Sequence, residues 1–293
     1  MKSQAGHRID PILIGIIGLL SLVMVTMILP FMHILAKSLS HPLDVQAGKV
    51  GLWPVRFEFG NYVYFYHRFL IPLAQAYYNS IFITVFGTAW VVLNTALMAF
   101  PMSRPQQEFR LLKPVMYLVL LAYIFFPPLI PYFLSVKSYG LMNTRTVIIF
   151  AHTVIPFQLL LVVNFYRGIP EELFNACRID GGNDFQLFWH IALPSSKAVL
   201  VTIGLFTSVL LWNIFLHALL FIQKPALQPL QIFVRGILQA GDAHVAAESM
   251  GIYADKESTK SALIMLTTIP IISVYPLLQK YFAKGALVGG IKE

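Results

Sequence analysis

The chain has 293 residues, 57% hydrophobic and only 12% charged, with a mean hydropathy of +0.71. Soluble domains run near ~25% charged, so this composition excludes a globular protein with a water-facing exterior. The net charge of +8 comes without a basic cluster interleaved with aromatics, which excludes nucleic acid and points to membrane lipid as the surface it meets.

Crossing ~30 Å of hydrocarbon takes roughly 20 apolar residues in a helix. Six segments qualify: Ile12 to Ala36, Asn79 to Pro101, Pro114 to Leu134, Thr144 to Tyr166, Ala198 to Ile222 and Ser261 to Leu278. The fold class is therefore an all-α polytopic membrane protein with six spans. The first run is not followed by a small-residue cleavage site, so it reads as a retained span. Pro127, Pro128 and Pro131 predict a kink or break late in the third. The sixth is short and carries Pro270 and Pro276. No internal repeat is visible.

With the N-terminus inside, Lys2, Arg8, Arg104, Arg110, Lys113, Arg167, Arg178, Lys197, Lys280, Lys284 and Lys292 face the cytoplasm. That is eleven of the 21 Lys and Arg residues, so the total decides little. The inside charges, however, lie in short loops and tails, where the positive-inside rule has force. Both termini are therefore expected to be cytoplasmic. Two longer segments, about 37–78 and 223–260, then lie outside. In the first, "LWPVRFEFGNYVYFYHRFL" is dense in rings that suit the membrane–water interface.

Between the fourth and fifth spans the oily pattern is interrupted by "GIPEELFNACRIDGGNDFQLFWHIALP". Pro170 suits a first helical position, and Glu171 and Glu172 complement the positive helix N-terminus. Leu173, Ala176 and Cys177 share a face, with Phe174 beside them. Gly181 and Gly182 stop the helix, since glycine takes the left-handed conformation readily. Asn183 is a plausible N-cap for a second short helix, with Asp184 in its first turn. There Phe185, Phe188, Trp189 and Ala192 form an amphipathic stripe that Pro194 ends. Short helices need a surface to pack against. On physical grounds that surface is equally a groove on another protein or the chain's own spans.

The spacing resembles the EAA loop of membrane subunits of binding-protein-dependent ABC importers: Glu-Ala-Ala, three residues, Gly, nine residues, Ile, one residue, Leu-Pro. Here it reads Asn175-Ala176-Cys177, Gly181, Ile191 and Leu193-Pro194, with every interval kept. Asn replaces Glu and Cys replaces the second Ala, and Glu171 and Glu172 lie about a turn earlier. "NSIFITVFGTAWVVLNTALMAFPMSRP", "YGLMNT", "IPFQLLLVVNFYRGIPEEL", "LLWNIFLHALLF" and "YPLLQKYFAKGALVGGIK" are similar to the carbohydrate-uptake branch. The last string is similar to permeases for complex oligosaccharides, some of them alginate-type.

The resemblance implies a first segment 1–72, a permease core 73–284 with an EAA-type loop at 167–194, and a cytoplasmic tail 285–293. It implies a bacterial cytoplasmic-membrane complex with a homologous second permease, an ATPase dimer and an extracytoplasmic solute-binding protein. Transport would proceed by alternating access. ATP and magnesium would sit on the ATPase, and this chain has no GxxxxGK[ST] loop. In these terms Glu171, Glu172, Leu173, Phe174, Asn175, Ala176, Cys177, Arg178, Asp180 and Gly181 form the ATPase-coupling helix. Phe174, Ala176 and Cys177 are its expected groove contacts.

Polar side chains inside spans are costly and carry a functional expectation. Asn79, Asn94, Gln158, Trp212 and Asn213 are the candidate solute path, with His217 beside them. Trp212 offers a stacking face for a sugar ring and the amides offer partners for hydroxyls. Interhelical hydrogen bonding is the competing role. His152 and His190 read as ordinary interface histidines, and no cluster suggests a metal. The single cysteine, Cys177, excludes an intrachain disulfide. Within transport the rival is an importer for a non-sugar solute. An intramembrane enzyme would need paired acids, GxS or HExxH within the spans, and the sequence has none.

Overall fold

The computed structural model describes residues 11–125, 127–239, 257–270 and 272–273, and among these it is helical with no strand beyond an isolated bridge between Ser40 and Phe57. The tail 285–293, most of the polar segment near 241–260 and the "YPLLQKYFAKGALVGGIK" string lie outside the described residues.

The first expected span is α1 (Pro11–Ser38), a 28-residue helix with exposed apolar side chains along its length. A short α2 (Pro42–Gln46) follows, capped by the His41 ring. The next helix departs from expectation. α3 (Gly60–Ser103) runs unbroken for 44 residues. It takes in the aromatic stretch from Gly60 that the sequence reading left outside as a separate segment. At 1.5 Å per residue it is about 66 Å long, roughly twice the hydrocarbon thickness. Pro72 lies inside it. Both α1 and α3 are long and apolar enough to cross a membrane.

The third, fourth and fifth expected spans are each divided. The third is α4 (Leu112–Ile124) and α5 (Leu129–Ser138), parted at Pro127 and Pro128 as the prolines predict. The fourth is α6 (Val147–Ala151) and α7 (Pro156–Arg167). That break was not foreseen. Its cause is Pro156, which lacks an N–H and holds Ile155 extended, at φ −108° and ψ 105°. Then come α8 (Glu171–Ile179), α9 (Asp184–Leu187), a π-helical turn at Phe188–Ala192 and α10 (Leu193–Ser195). The fifth expected span is α11 (Lys197–Trp212) and α12 (Leu216–Phe221), parted at Asn213. α13 (Leu230–Gln239) follows. Of the sixth, 261–270 is helical, in a helix that is already formed at 257.

The chain divides into two compact units, Met1–Leu70 with Gly236–Pro270 and Ile71–Arg235 with Ile271–Glu293. In the first, Ala36, Val45 and Val50 form a small core. An ion pair of Asp44 with Arg56 secures the loop over it, and Arg56 holds φ +48°. In the second, two apolar clusters form. One gathers Ile83, Ile148, Leu211, Ala218 and Phe221. The other gathers the ends of α3, α4, α7 and α11 around the α8–α10 segment, through Phe100, Tyr166, Phe174, Leu187, Phe188 and Ala192.

Candidate functional site

The α8–α10 segment is built as its residues dictate. α8 starts with Pro170 as its cap rather than as its first helical residue, with Glu171 and Glu172 in the first turn. It ends at Asp180. There the Gly181 N–H donates to Arg178 O at 3.0 Å and the Gly182 N–H to Cys177 O at 2.8 Å, the paired bonds of a Schellman motif. The two glycines serve different needs. Gly181 adopts φ +83° in open space, while a Cβ on Gly182 would lie 2.5 Å from Cys177 Sγ and 2.7 Å from its carbonyl oxygen. Asn183 caps α9 in a full capping box: Gln186 N–H donates to Asn183 Oδ1 at 2.9 Å and Asn183 N–H to Gln186 Oε1 at 2.8 Å.

α8 has an inner and an outer face. Phe174 is 1% exposed, its ring among Phe100, Tyr166 and Phe188. Its ring is thus committed to the chain's own core, on the opposite side from the exposed face of α8. Leu173 is 48% and Ile179 86% exposed, and Glu171, Glu172, Asn175, Ala176 and Asp180 are exposed too. Cys177 is half-buried against Gly182. Arg178 is turned inward: its Nη2 meets Glu108 Oε2 at 2.6 Å. Apolar side chains thus stand exposed on the outer face while the inner face packs on the chain's own helices.

The second helix corrects the expected stripe. Leu187, Phe188 and Ala192 are buried, but Phe185 and Trp189 point outward and stack with centroids 6.1 Å apart. These two are four residues apart and share the outer face of the helix. A π turn follows, in which Leu193 N–H reaches back five residues to Phe188 O. The segment then bends by 77° into α11.

Beside α8 lies a cavity of about 320 Å³, lined among others by Ser103, Arg104, Tyr166, Arg167, Glu171 and Phe174. The Arg104 guanidinium lies 3.9 Å from the Phe174 ring centroid and 5.1 Å from that of Phe100. Burial pulls the Arg104 pKa below its ordinary value, and the Glu108 carboxylate opposes that shift. Arg167 donates to Met102 O at 3.3 Å. Sequence reasoning missed Arg104 and Glu108. Their four-residue spacing, equal to that of Phe174 and Arg178, is the signal that could have found them.

The expected path residues do not converge. Asn79 is fully buried and its amide is committed. Its Nδ2 donates to Ala226 O at 2.9 Å and Gln228 O at 3.1 Å, and its Oδ1 accepts from Arg145 Nε at 3.1 Å. Gln158 is buried and its Oε1 accepts from Thr207 Oγ1 at 2.8 Å, tying α7 to α11. Asn79 thus ties α3 to two connecting segments and Gln158 ties one helix to another. Asn94 donates to Trp90 O at 2.7 Å and Asn213 to Val209 O at 2.8 Å, so each amide folds back on its own helix. Asn213 remains exposed at the break after α11, beside a half-buried Trp212 whose Nε1 has no partner among the described residues. His217 and His152 join at 3.1 Å. Because His152 Nδ1 donates to Ile148 O, its Nε2 accepts from His217 in the neutral pair. His190 Nδ1 lies 3.2 Å from Gln186 O. Among the described residues no group of three metal-ligating side chains forms.

Residues 95–288 match the family described as the binding-protein-dependent transport system inner membrane component. Protein LplC of Bacillus subtilis is 37% identical over 90% of this chain and 89% of its own. The polygalacturonan/rhamnogalacturonan transport system permease protein YtcP of the same organism is 35% identical over 94% of this chain and 96% of its own. A crystal structure of a bacterial ABC transporter involved in the import of the acidic polysaccharide alginate contains a similar chain. The TM-score is 0.85, with 27% identity over 96% of this chain and 99% of that one.

Proposed function

The chain belongs to the family of binding-protein-dependent transport system inner membrane components, and we propose that it is a permease subunit of an ATP-driven importer that carries an acidic oligosaccharide into the cytoplasm. It is a membrane permease and not an enzyme. α1, α3, the pairs α4–α5, α6–α7 and α11–α12, and the helix beginning at 257 supply six spans, with both termini cytoplasmic. A second, homologous permease completes the path, an ATPase dimer binds ATP and magnesium, and an extracytoplasmic binding protein delivers solute.

α8 is the coupling helix. The observation that carries this is its division into two faces, with Phe174 anchored inside and Leu173, Ala176 and Ile179 bare outside. Burying one such apolar side chain contributes on the order of 1.5–3 kcal/mol, so the outer face suffices to seat in a groove of the ATPase. ATP binding closes the ATPase dimer, α8 moves with it, and the spans switch between inward- and outward-open states. Nucleotide and loaded binding protein shift that balance because each binds the two states differently. Within the path, Trp212 and Asn213 would meet sugar, one with a ring face and one with its amide oxygen; the exposure of Asn213 at the helix break supports this reading.

Purified complex in proteoliposomes tests the reading. Binding protein loaded with alginate- or polygalacturonan-derived oligosaccharide is expected to stimulate ATP hydrolysis and solute accumulation. Stimulation by a non-sugar solute alone would transfer the chain to the rival importer class.

A further inference from the structure

Phe174 and Arg178 are four residues apart on α8 and so rise from one face of it. Arg104 and Glu108 are four apart on the turn that leaves α3. That turn is drawn together by Arg104 N–H to Pro101 O at 3.2 Å and Glu108 N–H to Pro105 O at 3.0 Å. The two pairs meet in matching order. The Arg104 guanidinium lies over the Phe174 ring at 3.9 Å, and Glu108 meets Arg178 at 2.6 Å.

We propose that Arg104 and Glu108 are positioning residues that clamp α8 to the end of α3 at two points, so that the two helices move as one body when the ATPase pulls. This rests on reading α8 as the coupling helix. A single anchor at Phe174 would leave α8 free to roll about its axis and to pivot under load. A second anchor one turn along the same face removes that rotation and fixes which side chains point outward. Arg178 then belongs to the clamp and not to the ATPase contact. Neither contact is strong alone, since both side chains of the ion pair are about a third exposed. Their value lies in setting direction: displacement of α8 is delivered to α3 rather than lost in rotation.

The test uses the complete transporter in proteoliposomes and reads solute imported per ATP hydrolysed. Glu108→Arg sets two guanidinium groups against each other. The ratio is expected to fall roughly threefold to tenfold while hydrolysis continues, and adding Arg178→Glu should restore it to within about twofold. A purely stabilising contact would lower the melting temperature and leave the ratio alone. An unchanged ratio in Glu108→Arg, or no rescue by the swap, overturns the proposal.

Should the charge variants fail to assemble, Glu108→Cys with Arg178→Cys in a Cys177→Ser background answers the same question. Cross-linked by a short bis-thiol reagent, that complex is expected to import more solute per ATP than the same variant uncross-linked and to approach the wild-type ratio, because the cross-link replaces the lost contact and the contact stays closed during the cycle. Failure to cross-link, or a cross-link that stops import, overturns the clamp. Leu173→Arg, on the outer face, separates the two ideas. If it uncouples and Glu108→Arg does not, the clamp fails alone; if it leaves the ratio intact, the coupling reading fails.

Discussion

Gly181→Val tests the corner between α8 and α9 through backbone conformation alone. Nothing lies within 4 Å of a Cβ built at Gly181, so the first side-chain carbon meets no neighbour. Its φ of +83°, however, is a conformation that costs an L-residue about 1–2 kcal/mol, and more for a β-branched one. Relaxing that strain means leaving the left-handed turn, which gives up the capping bonds to Arg178 O and Cys177 O. Each is worth about 0.5–1.5 kcal/mol, so whether the strain is kept or relaxed a local penalty of about 1–3 kcal/mol falls on a nine-residue helix. The spans, which these bonds do not touch, are expected to insert and fold. In proteoliposomes, solute imported per ATP should drop by about tenfold or more in Gly181→Val. Gly181→Asn, which tolerates the left-handed region, should stay within about threefold. A valine variant with a normal ratio would refute the reasoning. So would an asparagine variant as damaged as valine, because the effect would then not be conformational.

Three further outcomes are expected. Phe174→Ala should cost about 3–5 kcal/mol of stability and lower the melting temperature sharply, whereas Leu173→Ala should change stability by less than ~0.5 kcal/mol and weaken capture of the ATPase in a pulldown. Asn79→Leu should lower the melting temperature without altering which oligosaccharides compete for uptake, because its amide serves Ala226, Gln228 and Arg145. Asp44 is held below its ordinary carboxylate pKa of 3.8, chiefly by its hydrogen bond with Arg56. A lowered native value adds stability above the unfolded pKa and loses it as pH falls through the native one. The melting-temperature gap between wild type and Asp44→Asn should therefore be constant near neutrality and close below about pH 4.

Local chemistry was legible in the sequence wherever one or two residues decide it. Asn183 with Gln186, Gly181 at a positive φ, and the break at Pro127–Pro128 all follow from residue type and spacing. What depends on contacts distant in sequence was not. Nothing near Asn79 announces that two of its partners lie about 150 residues away, nor that Gln158 meets Thr207. The continuous α3 escaped because its first part is aromatic and polar, a composition that fits an interfacial segment as well as an extended helix. The π turn at Phe188–Ala192 escaped because one inserted residue leaves spacing intact and rotates every side chain after it. Phe174 and Leu173, adjacent in sequence, have opposite fates because an α-helix turns about 100° per residue: one faces the core, the other is exposed.

That opposition provides the most direct measurement. A photo-reactive residue placed at Leu173, Ala176 or Phe174 in turn, in the assembled transporter, reports which face of α8 meets the ATPase. Capture of the ATPase subunit from positions 173 and 176, strengthened on ATP binding, with none from 174, is the expected result. Capture from 174, or from none of the three, would contradict α8 as the helix through which ATP drives this permease.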